Sequence, residues 1–222
     1  IGYFPLLKQN PSFRNLWYGQ VISELGNWVN SIALYALILQ LTGSGMAMAA
    51  AMMAKLLPMV IISPFAGVVI DRMDRKTVLI ASDILRCFTV LCFLIVESRE
   101  DLWLVYAITL FEVALTGFFE PARSAILPSI VKKNHLVTAN AISGATWSIM
   151  LTLGAALGGF VVSLFGVKVA FILDALTYLL SAWFIIKIPY PNTKSGETIK
   201  KNNSSGIKGL AEGVRYLLSR PI

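Results

Sequence analysis

The sequence predicts an all-α integral membrane protein, folded as a bundle of six transmembrane helices. Of its 222 residues, 56% are hydrophobic and only 14% are charged. The apolar residues fall in blocks of about 20, which is roughly the length of helix that crosses a bilayer. The two-residue alternation typical of a transmembrane β-barrel is absent, so helices are the spanning structure that the pattern favours.

Six apolar spans follow one another along the chain. An uncharged turn around Gly43 joins the first two, and a strongly charged turn separates the second from the third. A longer loop containing Pro121, Pro128 and His135 is predicted between the fourth and fifth spans, and a tight turn at 165–168 leads into the sixth. We place the first five spans at 17–39, 46–70, 77–96, 102–119 and 138–164, and the sixth ends near Ile186.

The distribution of basic residues predicts the orientation of these helices. Fifteen of the nineteen Lys and Arg residues lie in the N-terminal lead, the second-to-third turn, the fourth-to-fifth loop and the C-terminal tail. Because basic residues collect in cytoplasmic loops, both ends of the chain are predicted to be cytoplasmic, in a bacterial inner or plasma membrane. The formal charge of +7 is then explained without nucleic acid, and membrane lipid is the expected partner.

The composition changes after Ile188. Residues 1–188 contain the predicted bundle, whereas 189–222 read as a polar cytoplasmic linker followed by the start of an interfacial helix. The chain opens on Ile1 rather than on methionine and stops directly after Arg220-Pro-Ile. We therefore expect it to be part of a longer protein.

Ionisable side chains inside the spans are the first candidates for function, because each costs roughly 2.5–3.5 kcal/mol at mid-membrane unless it pairs or faces water. Asp83 and Arg86 are three residues apart on one helix and are predicted to form an ion pair. The other four are Glu24, Lys55, Glu112 and Asp174.

Two of these side chains, Glu24 and Glu112, have no ionic partner within four residues. Either they carry protons in a half-wet cavity, or they pair across helices with Lys55 or Arg86; the sequence leaves both alternatives open. Asp174 is predicted to anchor packing near the outer end of the sixth helix.

A weak internal repeat links the two halves of the bundle. A shift of 92 residues aligns 66–71 with 158–163, so helices two and three resemble helices five and six. The two pairs have opposite topology, which predicts a three-plus-three inverted repeat. The fifth helix is also rich in small residues that permit close helix packing, among them Gly154, Gly158 and Gly159.

No chemistry of catalysis is indicated. The chain has one histidine, in a polar loop, and its two cysteines are five residues apart on different faces of one helix. A Gly-rich phosphate loop and a nucleophile–base arrangement are both missing from the pattern. We expect no metal, no cofactor and no enzymatic activity.

Several motifs resemble one transporter family. Gly67-Val-Val-Ile-Asp71-Arg72-Met-Asp74-Arg75-Lys76 resembles the signature loop of the major facilitator superfamily, except that Asp74 stands where a second glycine is usual. The segments 23–28 and 118–131 resemble the branch that contains macrolide, multidrug and enterobactin exporters. Gly154-Ala-Ala-Leu-Gly158-Gly159 resembles the antiporter motif of the fifth helix, with alanine in place of its proline.

The resemblance implies that the chain is the N-terminal half of a 12-helix fold, with a missing C-terminal half of the same protein, a small-molecule cargo and protons as partners. Gly67, Asp71, Arg72 and Arg75 would belong to a cytoplasmic gating latch, and Glu120 is the expected partner of Arg75.

A central cavity between helices one, two, four and five would carry Glu24, Asn27 and Glu112, with Trp28, Tyr35 and Trp147 among its aromatic surfaces. The predicted function is proton-coupled export of drugs or other amphipathic molecules. Transport of a lipid or siderophore by the same fold is an alternative, and a non-transporting membrane scaffold or sensor is another.

Overall fold

A computed structural model describes residues 2–70 and 73–189, and every regular element in those residues is helical. Asp71, Arg72 and all of the predicted linker after Pro189 lie outside the described residues. Short 3₁₀ turns at Cys92–Ile95, Arg99–Asp101 and Lys133–His135 connect the later helices. The helices are α1 (Tyr3–Gln9), α2 (Pro11–Thr42), α3 (Gly45–Ile70), α4 (Arg75–Leu91), α5 (Leu102–Ile130) and α6 (Leu136–Ile186).

The longest helix, α6, is broken at a single residue. Gly166 has φ 80° and ψ 171° inside an otherwise helical run, a conformation that glycine adopts without steric cost. We call 136–165 the first segment of α6 and 167–186 its second segment. The predicted four-residue turn at this place is therefore reduced to one residue.

The lengths and apolar compositions of the described helices suit a lipid bilayer. Four stretches within the described residues are long and apolar enough to cross a membrane: Pro11–Thr42, Arg75–Ile95, Arg99–Ile130 and Lys133–Ile186. Large apolar side chains such as Trp103, Phe160 and Leu164 are exposed on the outside of the bundle, which suits a surface covered by lipid. The protein is a multi-pass membrane protein.

The predicted loop after the fourth span is wrong, because α5 continues as a helix to Ile130 and contains both Pro121 and Pro128. Proline in a helix interior removes a backbone hydrogen bond and normally ends the helix. Here the continued helix buries Ala122 and Ile126, each of which has no exposed surface. Packing of this face against the core outweighs the local signal of the prolines.

Two apolar clusters are separated by a polar layer. The first cluster includes Leu16, Leu79, Phe119, Ile126 and Ile185, and the second includes Val29, Cys87, Val90, Ile108 and Tyr178. Along α2, α4, α5 and the second segment of α6, a group of buried polar side chains falls between members of the two clusters, so these polar groups lie deep in the bundle. These polar side chains include Gln20, Ser23 and Glu24 on α2, Ser82, Asp83 and Arg86 on α4, Glu112 on α5, and Ser181 on α6.

Glycines set how closely α2 approaches both segments of α6. A methyl group at Gly154 would lie 2.5 Å from Trp28 Cβ, and one at Gly158 would lie 3.1 Å from the Cα of Val29. At Gly26, a methyl group would overlap the side chains of Thr177 and Asp174 in the second segment. Gly159, by contrast, has open space beside it.

We therefore expect Gly26→Ala to lower the thermal stability of the detergent-solubilised protein, since overpacking costs about 1–3 kcal/mol. Gly159→Ala is the matched control, because a β-carbon there meets no neighbour and alanine favours the helix by up to about 1 kcal/mol. Thermal unfolding of both variants tests this expectation. Equal melting temperatures for the two variants would show that the α2–α6 contact tolerates a wider separation.

Candidate functional site: a polar cavity and a buried ion pair

A cavity of about 600 Å³ lies among α2, α3, α5 and the first segment of α6. These four correspond to the predicted transmembrane helices one, two, four and five, which the resemblance places around a central cavity. The structure brings the sequence-predicted residues Glu24, Asn27 and Glu112 together in its wall, beside Trp28 and Trp147. Polar side chains from the same helices complete the lining: Ser31, Lys55, Thr116, Glu120, Arg123, Asn140 and Ser143.

Glu24 is held by an amide rather than by a cation. Gln20, one helical turn earlier, donates a hydrogen bond of 2.7 Å from Nε2 to Glu24 Oε1, and the same nitrogen lies 3.1 Å from the carbonyl oxygen of Ser143. Glu24 Oε2 is buried and has no hydrogen-bond partner among the described residues. This carboxylate is therefore positioned at the cavity wall with one oxygen uncommitted.

Glu112 is the centre of a small network between α2, α5 and α6. Asn30 Nδ2 donates to Glu112 Oε1 at 2.8 Å, and the hydroxyl group of Tyr178 lies 3.3 Å from the same oxygen. Tyr178 also donates to Asn27 Oδ1. Because a phenol has a single proton, the Tyr178 hydroxyl can serve only one of these two acceptors at a time.

Lys55, on α3, lines the same cavity. Its Nζ lies 2.7 Å from Ser31 Oγ and 5.9 Å from the centre of the Tyr35 ring. Neither Lys55 nor Arg86 forms an ion pair with Glu24 or Glu112 in the described structure. The ion pairs among the described residues are Asp83–Arg86, Glu120–Arg123 and Glu97–Lys168.

The predicted pair between Asp83 and Arg86 is present and almost completely buried, with side chains that are 0% and 1% exposed. The guanidinium group of Arg86 lies between two rings, 4.2 Å from the centre of Phe119 and 4.5 Å from that of Tyr178. Aromatic faces attract cations, so both rings stabilise the buried charge. Tyr178 thereby contacts both the ion pair and the cavity carboxylate of Glu112.

Asp174 is also buried, on the second segment of α6. Thr177 Oγ1 lies 3.3 Å from Asp174 Oδ1, and both side chains contact the bare backbone of Gly26. This position at a tight helix crossing agrees with the predicted role of a packing anchor.

The charged turn is organised by helix ends. Asp74 begins α4 as its N-cap residue, with Oδ2 accepting from the backbone nitrogen and the hydroxyl group of Thr77, both at 2.8 Å. Its φ of −65° needs no glycine, which explains how aspartate is accommodated at this motif position. Lys76 Nζ donates to the carbonyl oxygens of Ile186 and Ile188 at 2.8 Å each and so caps the end of α6.

The expected contact between Arg75 and Glu120 is not formed. Arg75 Nη1 donates to the carbonyl oxygen of Ala125 at 2.8 Å, whereas Glu120 pairs with Arg123 at 2.8 Å. The prediction placed Glu120 at the cytoplasmic end of the fourth helix, but α5 continues beyond it to Ile130 and sets Arg123 one turn away. Gly67 is half-buried with open space beside it; Asp71 and Arg72 lie outside the described residues.

Comparison with known proteins identifies the family. The profile of the transmembrane secretion effectors of the major facilitator superfamily matches residues 2–221. The chain belongs to this family. Its members are membrane transporters rather than enzymes.

Similar curated proteins agree with this family. An uncharacterised MFS-type transporter of Bacillus subtilis, YfiS, is 27% identical over 219 residues, 98% of this chain and 52% of the relative. Macrolide efflux protein A of Streptococcus pyogenes is 24% identical over 92% of the chain and 51% of the relative. A candidate bacilysin exporter of Bacillus subtilis, BacE, is 32% identical over 91% and 50%. The chain spans about half the length of these curated relatives.

We expect Arg86→Met to destabilise the protein strongly, because it leaves the carboxylate of Asp83 buried without its partner. Breaking a buried pair costs about 3–5 kcal/mol. The double variant Asp83→Leu/Arg86→Met should recover part of that loss, since no lone charge remains.

The exposed pair between Glu97 and Lys168, whose side chains are 74% and 57% exposed, supplies the control. Glu97→Gln should leave the unfolding temperature unchanged, because exposed pairs contribute little. The measurement is the thermal unfolding temperature, in one detergent, of the wild type, the two Arg86→Met variants and Glu97→Gln. If Arg86→Met unfolds at the wild-type temperature, the pair does not support the fold.

Proposed function

We propose that the chain is the N-terminal, six-helix half of a 12-helix secondary transporter that exports amphipathic small molecules in exchange for protons. The missing C-terminal half would supply the other wall of the cavity. Support comes from the lengths of the relatives, of which this chain covers about half. Both ends of the present segment would face the cytoplasm, as the basic residues predict.

The helix contacts support an inverted repeat. α2 packs against both segments of α6, α3 packs against α5, and α4 packs against α5 and the second segment of α6. If α2, α3 and α4 are exchanged with α5 and the first and second segments of α6, respectively, each of these contacts maps onto another of them or onto itself. That is the relation expected between two three-helix repeats.

The observation that carries the proposal is the pair of buried carboxylates in the cavity wall. Glu24 and Glu112 are 9% and 4% exposed, and each has one oxygen without a hydrogen-bond partner in the described structure. Uncompensated carboxylates within a membrane bundle are costly and mark proton or substrate paths. Each could bind a proton when the cavity faces one side and release it when the cavity faces the other.

The cytoplasmic gate is the second part of the proposal. Arg75 and Lys76 tie the charged turn to the ends of α5 and α6 through backbone carbonyls. Such boundary contacts are individually weak and can be exchanged when the two halves rock. Asp71 and Arg72 would join this latch, as the family motif implies.

The names of two relatives, which refer to macrolide efflux and bacilysin export, favour an exporter. A lipid or siderophore carried by the same fold is the alternative cargo. A scaffold or sensor that transports nothing is the alternative from another class, and the following experiment separates it from a transporter.

We expect Glu24→Gln and Glu112→Gln each to reduce proton-coupled efflux at least tenfold, because an amide cannot bind and release the coupling proton. The measurement is export of ethidium from proteoliposomes of the full-length protein with an imposed pH gradient. Glu100→Gln, at an exposed position in the turn before α5, is the matched control and should keep wild-type rates. Unchanged efflux in both cavity variants would remove these carboxylates from the mechanism, and wild-type protein that moves no cargo would favour the scaffold.

A further inference from the structure

The cavity carries charges of opposite sign at two levels. Glu24 and Ser31 are both on α2 and line the cavity. Seven residues separate them, which is close to two helical turns, so they share a face and lie about 10 Å apart along the axis. Because Lys55 Nζ lies 2.7 Å from Ser31 Oγ, an ammonium group marks one level and the Glu24 carboxylate marks the other.

Neither charge is neutralised by an ionic partner in the described residues. Glu24 is bound by the neutral amide of Gln20, and its Oε2 has no partner. Lys55 contacts a hydroxyl group and the face of a ring. Arg123, which lines the same cavity, differs because Glu120 pairs with it at 2.8 Å. Glu112 also lines the cavity without an ionic partner, so the described wall has two such anions and one such cation, Lys55. Glu112 Oε1 accepts from Asn30 and lies 3.3 Å from the Tyr178 hydroxyl group. Glu24, by contrast, is bound by one amide, so Glu24 is the anion more open to a ligand.

We propose that this cavity binds a zwitterionic cargo, with the ammonium group of the cargo on Glu24 and its carboxylate on Lys55. The inference rests on the proposed function and names the class of its cargo. Trp28 and Trp147 lie in the same wall and would contact the apolar body of the molecule.

The separation of the two levels sets the size of the ligand. Charges that meet side chains about 10 Å apart along the axis are themselves on the order of 5–10 Å apart once the contact distances are subtracted. An extended chain advances about 3.3–3.6 Å per residue. A dipeptide or tripeptide, or a small molecule of that length, has this spacing.

A singly charged ligand satisfies only half of this wall. A monocation on Glu24 leaves the Lys55 ammonium group without a counter-charge, and a monoanion on Lys55 leaves Glu24 in the same condition. Charged groups held away from bulk water gain most from a partner of opposite sign. A zwitterion satisfies both ends at once.

The experiment is titration calorimetry of the purified full-length protein in detergent with alanyl-leucine, its N-acetyl form and its C-terminal amide. We expect the free dipeptide to bind at least tenfold more tightly than either blocked form. In Lys55→Gln, the preference for the free carboxylate over the amide should disappear while the preference for the free amine remains. In Glu24→Gln, the preference for the free amine over the N-acetyl form should disappear while the preference for the free carboxylate remains. Lys55→Arg should keep both preferences of the wild type.

Lys168→Gln is the matched control, because it removes a basic residue that lies outside the cavity and is 57% exposed. Any of three results overturns the inference. The first is a C-terminal amide that binds the wild type as tightly as the free dipeptide does, and the second is a ratio of these two affinities that Lys55→Gln leaves unchanged. The third is the absence of binding of all three forms up to about 10 mM, which corresponds to less than about 3 kcal/mol.

Binding in detergent requires no gradient, so this result is independent of the transport assay. Charge-selective binding of the dipeptide by a protein that exports nothing would sustain the inference and overturn the proposed function. Proton-coupled export of ethidium, a monocation, by a protein that binds no form of the dipeptide would overturn the inference and leave the proposed function intact.

Discussion

The packing of α2, α4, α5 and α6 depends on the interactions of one buried group, the guanidinium of Arg86. A cation in the middle of a bundle that is surrounded by lipid is stable only where an anion and polarisable surfaces meet it. Asp83 supplies the anion from the same helix, and Phe119 and Tyr178 supply ring faces from α5 and α6. Through the hydroxyl group of Tyr178, the arrangement reaches Asn27 on α2.

Close backbone approach makes this arrangement possible. α2 lies against both segments of α6 because Gly26, Gly154 and Gly158 present no side chain at the crossing. In lipid, helix association relies on such contacts and on hydrogen bonds rather than on hydrophobic exclusion. The break at Gly166 then allows α6 to run back along the bundle, so that both of its segments contact the same helix.

The cavity and the ion pair form one connected system. Tyr178 donates its proton toward Asn27 or Glu112 and covers one face of Arg86 with its ring. A change of protonation at Glu112 would alter which acceptor the Tyr178 hydroxyl group serves. Under the proposed function, this gives events in the cavity a short physical path to the interhelical core.

Local pattern was enough for the apolar helical segments and for the Asp83–Arg86 pair. Apolar blocks of membrane length leave the backbone no other way to satisfy its hydrogen bonds, and a pair three residues apart meets within one helix whatever surrounds it. The membership of Glu24, Asn27 and Glu112 in one cavity came from the family resemblance, which carries the helix arrangement with it.

Contacts between distant segments required the folded structure. The prolines of α5 indicate a break in the sequence, yet burial of Ala122 and Ile126 keeps the helix intact. The positions of Tyr178 beside Glu112 and of Lys55 beside Ser31 follow from which helices are neighbours and how they are rotated. Composition and spacing thus decide which segments become helices and which charges enter the membrane, whereas helix packing alone decides which of those charges find partners and which remain for a ligand.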